Sequence, residues 1–573
     1  MFDTFLEKMN RGPIKALGFA DDVSLRVMGI HPMSLIDIMQ NALKEAIIWG
    51  KQHSLKFVPE KTVAIFFTKK RKFSPPKKLK IDKVTIEYSK VTKYLGVFLD
   101  EKLNWRYHIQ QKIASAKKLI YTIRNAIGKI YGPRPQALKW AYNAMVVPKI
   151  SWASIVWAKT CQTNTIRRKF TSLNRLMALT MMPAREKTPT HGLEIILDLV
   201  PIDLKIKELA LKAMLRVLPQ SQTRWNGIGN SSSIGHMKWG QDELNKIGIP
   251  KKAFDTTNAL NLNPKYKCDL ESFNSGKPVS ETSINCYTDG SKILNKTGYG
   301  FGIAEDKVII SRDNGSLNDN CTVFQAETVA IEQASIQLQE MGVQKVTIFS
   351  DSRSAISSLA ALKIKSQTVA KCIDKLNLLG SQCEVTIKWV KAHNNHPGNE
   401  YADMEAKLGT SNQDNKMAVL PPISWARGKI TQLTYKDWTK RWKSYEKARQ
   451  TKIWFPSAKV THSRVLLKCN RQDLGLAVAM ITGHNCLKRH ETIIDPDGDS
   501  LCRLCGEEEE TSWHIIGECP ALWKVRLDTF QQLQMENPPR WKVSQLLTFL
   551  RKAGLQELNK GEGNLHMPQH QIP

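Results

Sequence analysis

Apolar residues recur along this chain with two periods, and the change from one to the other divides it. Ile109, Ile113, Ala116, Ile120, Ile123, Ile127 and Ile130 follow steps of four and three, the stripe of a long helix that should run to the stop signal Gly132-Pro133. "LKIKELALKAMLRVL" (204–218) continues the helical pattern. Ahead of it, "KTVAIFF" (61–67) and "VTIEYS" (84–89) are rich in β-branched and aromatic residues and predict strands. Residues 219–280, with "GIGNSSSIG", are rich in Gly, Ser, Asn and Lys and predict a connector. From Ile284 to about Leu408 strand and helix patterns alternate, as in one compact α/β domain. The remainder is mainly helical.

Composition changes this picture in two ways. Among 573 residues, 84 Lys and Arg face 53 Asp and Glu, a formal net charge of +31 that points to nucleic acid before an anionic membrane. Between Lys56 and Lys93 twelve basic residues face three acidic ones, including the loop "KKRKFSPPKKLK" broken by Pro75 and Pro76. The 11 cysteines are odd in number and scattered, so no disulfide framework is expected, and a reducing, intracellular setting (nucleus or cytoplasm) is. The start "MFDTFLEKMN" is amphipathic and charged, unlike a signal peptide. No apolar run of about 18 residues predicts a membrane span, so no membrane partner is expected.

The α/β region carries its chemistry in carboxylates. "SINCYTDGSK" predicts a strand ending at Asp289, and "TVFQAETVAIEQASIQLQEMG" a helix with Glu327 in its first turns. "VTIFSDSRSAISSL" predicts a second strand ending at Asp351, with Ser352 starting a helix. "VTIKWVKAHNNHPGNEYADMEAK" predicts a strand, a polar loop with His393, and a helix bearing Asp403. Four acids converging at strand ends repel one another unless cations neutralise them, and an all-oxygen site selects Mg²⁺ or Mn²⁺. The order Asp, Glu, Asp, His, Asp within TDGS, QAE, SDS, KAH and NEYAD resembles the ribonuclease H family over residues 281 to about 410, and the glycine-rich "GYGFGIA" agrees. The resemblance implies two-Mg²⁺ hydrolysis of the RNA strand of an RNA–DNA hybrid. Its catalytic acids are then Asp289, Glu327, Asp351 and Asp403, with His393 on a mobile loop. An integrase or transposase of the same superfamily is the rival that TDGS, QAE and NEYAD disfavour.

Two further motifs extend the resemblance. "GFADDVSL" sets Asp21 and Asp22 side by side in an apolar run, either a solvated hairpin tip or half of a metal site. It resembles the palm of a reverse transcriptase. "LKFVPEKTVAIFF" with Lys61 resembles the next palm motif, and "KYLGVFLD" with Tyr94, Leu95 and Gly96 the primer-grip hairpin. The aspartate that should precede the pair on an earlier palm strand is not found in the 20 residues before Asp21, so the pair is expected to be vestigial. Downstream, Cys502, Cys505, His514 and Cys519 give four N/S ligands with one tight CxxC pair, which suits tetrahedral Zn²⁺ better than a redox pair. In "GHNCLKRHE", Cys486 and His490 are expected to be ordinary loop or helix residues. The whole resembles the pol protein of non-LTR retrotransposons, Jockey-like or a related clade. That implies an α/β and α multidomain chain: truncated palm 1–100, helical thumb or connection 101–218, linker 219–280, ribonuclease H domain 281–412, and a helical C-terminal region 413–573 with the zinc motif at 502–519. RNA–DNA hybrid, and RNA and DNA generally, are the expected partners. The competing expectation is a catalytically dead nucleic-acid-binding remnant.

Overall fold

The computed structural model describes residues 2–127, 132–224, 232–249, 254–269, 284–391, 396–458, 460–535 and 542–555. The chain divides into two compact units, Met1–Ala210 with Tyr435–Pro573, and Leu211–Thr434.

In the first unit the N-terminal strands pair only as two-stranded hairpins: Lys15–Phe19 with Asp22–Arg26, Leu79–Ile81 with Val84–Ile86, and Val91–Tyr94 with Val97–Asp100. Helices Phe2–Met9 and Pro32–Gln52 cover the first hairpin through Phe5, Met9, Ile14, Ala16, Ala42, Ala46 and Trp49. The strand expected at 61–67 reduces to one bridge, Ala64 to Tyr88, while Ala64 and Phe66 are held half-buried by packing against Ile36, Leu79 and Ile86 rather than by a ladder. Helix Arg106–Asn125 buries Ile109, Ile113, Ala116 and Ile120 but stops short of the expected end at Gly132. Ile123 and Ile127 are only half-buried, and the N–H groups of Ala126 and Ile127 turn back to Ile123 O and Arg124 O, which closes the helix in a tighter turn. Ile130 lies outside the described residues.

The C-terminal region is not a free-standing module. Its residues from Tyr435 onward belong with Met1–Ala210. Arg441 grips buried Asp203 with two bonds of 2.9 and 2.6 Å, while Tyr435 and Lys139 share Asp198 at 2.9 and 2.7 Å. A planar guanidinium matched to a carboxylate gives direction as well as charge.

The second unit is built on a seven-stranded mixed sheet. Its strands are β1 (Lys267–Asp269), β2 (Ile284–Ile293), β3 (Lys296–Glu305), β4 (Val308–Leu317), β5 (Lys345–Ser350), β6 (Glu384–Trp389) and β7 (Lys416–Met417), in spatial order β7-β4-β3-β2-β5-β6-β1. β2, β3 and β4 form an antiparallel meander; β2–β5, β5–β6, β6–β1 and β4–β7 are parallel. Helices α1 (Val323–Glu340), α2 (Arg353–Leu359), α3 (Gln367–Gly380) and α4 (Pro397–Gly409) pack against it. The core lies among Phe301, Ile303, Ile331, Leu338, Ile348, Ile356, Leu376 and Ile387, all nearly or fully buried.

The expected linker 219–280 is largely structured where it is described. Ser232–Asn245 is a helix, Phe254, Asp255 and Tyr266 are buried, and Lys267–Asp269 is the sheet's edge strand. Its polar composition hid a helix and an edge strand that take their stability from packing rather than from their own periodicity.

Candidate active site and metal centre

Asp289 sits inside β2, not at its end, because β2 runs on to Ile293 against β3, with Asp289 opposite Gly300. On the other side, β5 accompanies β2 only as far as the Thr288–Ser350 pair. Asp289 therefore faces the opening left where β5 stops, and Asp351 is the residue just past that stop. The Trp389 indole donates to Asp351 O at 2.9 Å and fixes the turn, while Ser352 caps α2. α1 crosses over Gly290 so closely that a methyl group there would lie 2.5 Å from Glu327 N. Glycine after Asp289 is thus what lets α1 bring Glu327 alongside. Gly300 does the same for α4, where a methyl would meet Ala406 N at 2.3 Å.

These placements bring ligand oxygens of Asp289, Glu327 and Asp351 within 4.8 Å of one another. Asp403 is on α4 and is engaged by Lys407 at 2.6 Å. It is not among that group of three, although its charge acts on Asp289. His393 lies outside the described residues. His396, at the start of α4, packs its ring against Tyr287 at 5.1 Å.

Two of the three acids, Asp289 and Glu327, are electrostatically frustrated. Burial, reinforced by Asp351 and Asp403, pushes the Asp289 carboxyl up to about 7, against the pull of the Gly290 N–H at 2.8 Å. Burial and then Asp289 and Asp351 raise Glu327 well above the carboxylate range. Glu327 Oε2 is buried without a hydrogen-bond partner. An orphaned, buried oxygen beside two like charges matches the donor set of a divalent cation, which would replace the protons that burial otherwise imposes.

The second cluster is local. Cys502, Cys505, His514 and Cys519 also lie within 4.8 Å, with Cys505 Sγ 3.3 Å from His514 Nε2 and Cys502 Sγ 3.9 Å from Cys519 Sγ. Gly506 takes φ +72°, which turns the chain so that backbone N–H groups point at sulfur. Burial raises the Cys505 thiol, but the N–H groups of Glu507 and Glu508, with His514, prevail and lower it to about 7. The Cys519 thiol is pushed up to about 12, first by burial and then by Cys502. Three sulfurs and one imidazole nitrogen form the donor set of a soft or borderline cation, and binding one would take the protons from Cys502 and Cys519 that burial otherwise favours.

Sequence reasoning missed several contributors. Glu508 sits 3.2 Å from His514 Nδ1 and so turns Nε2 toward the sulfurs. The acidic run Glu507–Glu510 is partly internal scaffold: Glu510 is buried and binds Arg503 at 2.8 Å. The signal was its placement between Cys505 and His514. A second missed feature is the stretch 102–185, which holds sixteen Lys and Arg and no Asp or Glu. Lys117, Arg168 and Lys169 from this stretch line one groove between helices Arg106–Asn125 and Asn164–Met181. Asp21 and Asp22 are exposed at a hairpin tip, and among the described residues no third acid joins them. Cys486 lies in a loop and His490 on a helix, as expected.

The ribonuclease H family profile matches residues 281–411. The putative 115 kDa protein in type-1 retrotransposable element R1DM of Drosophila melanogaster is 23% identical over 212 residues, covering 36% of this chain and 20% of that protein. The retrovirus-related Pol polyprotein from type-1 retrotransposable element R1 of Nasonia vitripennis is 21% identical over 205 residues, covering 35% of this chain and 60% of the relative. The chain thus spans 20% and 60% of the lengths of these two relatives. Among solved structures, RNase H1 from Halobacterium salinarum and LC11-RNase H1 in complex with RNA/DNA hybrid each show 19% identity, 22% coverage of this chain, 97% coverage of their own and a TM-score of 0.20.

Residues 281–411 are a ribonuclease H domain. The chain that carries it is a homologue of the Pol polyproteins of R1 non-LTR retrotransposable elements.

Proposed function

We propose that this chain hydrolyses the RNA strand of RNA–DNA hybrids with Mg²⁺ at Asp289, Glu327, Asp351 and Asp403. The observation that carries the reading is the convergence of three carboxylates, two of them buried and one of those with an orphaned oxygen, at the end of β5. Bound there, two Mg²⁺ ions would supply an activated water and charge stabilisation of the leaving oxygen. Asp289, whose carboxyl feels both Asp351 and Asp403, is the central ligand in this reading. Glu327 and Asp351 flank it, and the burial of Glu327 keeps bulk water from that side. Asp403, freed from Lys407, is the fourth ligand. His393 holds or moves a proton in this reading, as the family resemblance implies. The acid-free stretch 102–185 supplies sequence-independent affinity for phosphate backbones.

Zn²⁺ at Cys502, Cys505, His514 and Cys519 has a structural role in this reading, with all four positions taken by protein. Asp21 and Asp22 take no part in it, which leaves the palm-like segment 1–100 and the thumb-like segment 101–218 as nucleic-acid contacts rather than a polymerase.

The deciding assay offers the whole chain a labelled RNA–DNA hybrid, the matching DNA duplex and single-stranded RNA, each with Mg²⁺ or chelator. Only the hybrid with Mg²⁺ should be cut. Equal cutting of all three would end this reading, and a folded chain that cuts nothing would favour the catalytically dead remnant.

A further inference from the structure

One buried acid lies outside both the matched segment and the carboxylate group. Asp255 precedes the ribonuclease H domain in sequence, yet is 7% exposed. Its Oδ2 accepts from Gln325 Nε2 at 3.0 Å and from Ser366 Oγ at 2.7 Å. Its Oδ1 accepts from Thr368 N at 2.9 Å. Gln325 is the third residue of α1, and Ser366 and Thr368 form the N-terminal turn of α3. One carboxylate thus stands off the N-termini of two helices, where negative charge is stabilised by their aligned N–H groups.

Gln325, 1% exposed, uses its whole amide. Its Oε1 accepts from Thr322 N at 3.1 Å, completing a reciprocal cap on α1. Its Nε2 is shared between Asp255 and Leu420 O at 2.9 Å. The next residue, Pro421, accepts from Asp255 N at 3.0 Å through its carbonyl. Chain from before the matched domain and chain from after it therefore meet on one side chain. Two residues further along α1 is Glu327, whose position over Gly290 leaves no slack.

We propose that Asp255 is a positioning residue for the metal site: through Gln325 it locks the first turn of α1 and thereby the carboxylate of Glu327. The catalytic unit then extends from about residue 254 to 421, beyond the 281–411 match on both sides. This rests on the proposed function insofar as Glu327 is a metal ligand, and it concerns how that ligand is held.

The test uses the whole chain, zinc-loaded, with Mn²⁺ as the probe in calorimetry without nucleic acid. The Mn²⁺ signal is assigned to the carboxylates by its loss in Asp289→Asn. Asp255→Asn keeps shape and an acceptor for Thr368 N–H but turns an NH₂ group toward Gln325 Nε2; Gln325→Met cuts the same link from the other end and serves if the first variant fails to fold. Both should weaken Mn²⁺ binding about tenfold, the lower range for losing a partner that orients a ligand. On hybrid, kcat should fall and KM stay within about twofold, since only the ligand's placement is disturbed. Ser366→Ala, which removes a bond to Asp255 without touching Gln325, should bind Mn²⁺ like the parent. Folded Asp255→Asn and Gln325→Met chains with parental Mn²⁺ affinity would overturn the proposal, as would a rise in KM with unchanged kcat. A parent chain that binds Mn²⁺ but cuts no hybrid would end the functional reading alone, and the Mn²⁺ comparison would still decide this one.

Discussion

The molecule holds two clusters able to take a metal, and they are built in opposite ways. Cys502, Cys505, His514 and Cys519 come from one short stretch, with a glycine turn, backbone N–H donors and Glu508 supplied by the same stretch. Asp289, Glu327 and Asp351 come from a strand, a helix and a strand end, and their meeting depends on the sheet, on Gly290 and on the anchoring of α1. The first cluster carries its support with it. The second borrows its support from the whole unit. The electrostatics differ in part: N–H groups draw Cys505 down toward the thiolate although burial raises Cys502 and Cys519, whereas burial drives both Asp289 and Glu327 up toward the acid form. The local motif prepares one of its thiols through its own backbone N–H groups, whereas at Asp289 and Glu327 burial prevails.

The largest effect expected is at the local cluster. Cys505→Ser should abolish stoichiometric zinc, read by elemental analysis, because structural zinc of this kind contributes about 10 kcal/mol or more. Cleavage of hybrid should change by no more than about twofold. A loss of cleavage matching the loss of zinc would break the contrast by showing that the two clusters depend on each other.

Next comes Asp289→Asn, which preserves size and removes the central charge. Hybrid cleavage should fall by about 10³-fold, near 4 kcal/mol at ~1.4 kcal/mol per tenfold. Zinc content should be unchanged. Cutting that survives this substitution would remove the oxygen cluster from the chemistry.

The third prediction reads the frustration directly. The Asp289 carboxyl stands at about 7 in the folded chain and at the ordinary value of 3.8 when unfolded. The folded state therefore holds the proton more tightly. The stabilisation is fully present below about pH 4 and is lost as pH rises through 7. In chelator, the unfolding transition of the ribonuclease H unit should weaken by roughly 2–4 kcal/mol across that window. Asp289→Asn should flatten the slope, and Mg²⁺ should restore stability at its upper end. A transition that strengthens with pH in chelator would show that burial does not govern this acid.

The contrast also explains what the sequence disclosed. The spacing of the C-terminal cluster is itself local geometry, so all four residues could be read together, and the structure places them together. Asp289, Glu327 and Asp351 were legible because each sits in a pattern that marks its own element. Their mutual support was not: nothing near Asp255 announces that it will accept from the Gln325 side chain of a helix 70 residues on. The strand at 61–67 and the final turns of the helix starting at Arg106 failed for a related reason. Their patterns were right for packing, with Ala64 and Phe66 half-buried against Ile36, Leu79 and Ile86 and with Ile123 and Ile127 half-buried, but apolar spacing alone fixes neither a ladder nor a helix end. The edge strand Lys267–Asp269 failed in reverse, gaining through pairing with β6 an order that its three residues cannot hold alone.

The smallest effect expected falls on the one acid that the oxygen cluster does not draw in. Asp403 and Lys407 are one helical turn apart on α4, with side chains 28% and 53% exposed, and their 2.6 Å pair is of the kind that contributes only ~0.3–0.5 kcal/mol. Lys407→Ala should therefore shift stability by no more than about 0.5 kcal/mol, less still at high salt, because exposed charges are screened. Asp403 stays close enough for its charge to act on Asp289. Freed of its ammonium, it should join the cluster more readily, so Mn²⁺ should bind the variant at least as tightly as the parent. Calorimetry checks the affinity, and a melt in low and high salt checks the stability. A loss of several kcal/mol, or of Mn²⁺ binding, would mean that Lys407 supports the oxygen site as Glu508 supports His514, and the two clusters would be more alike than their construction implies.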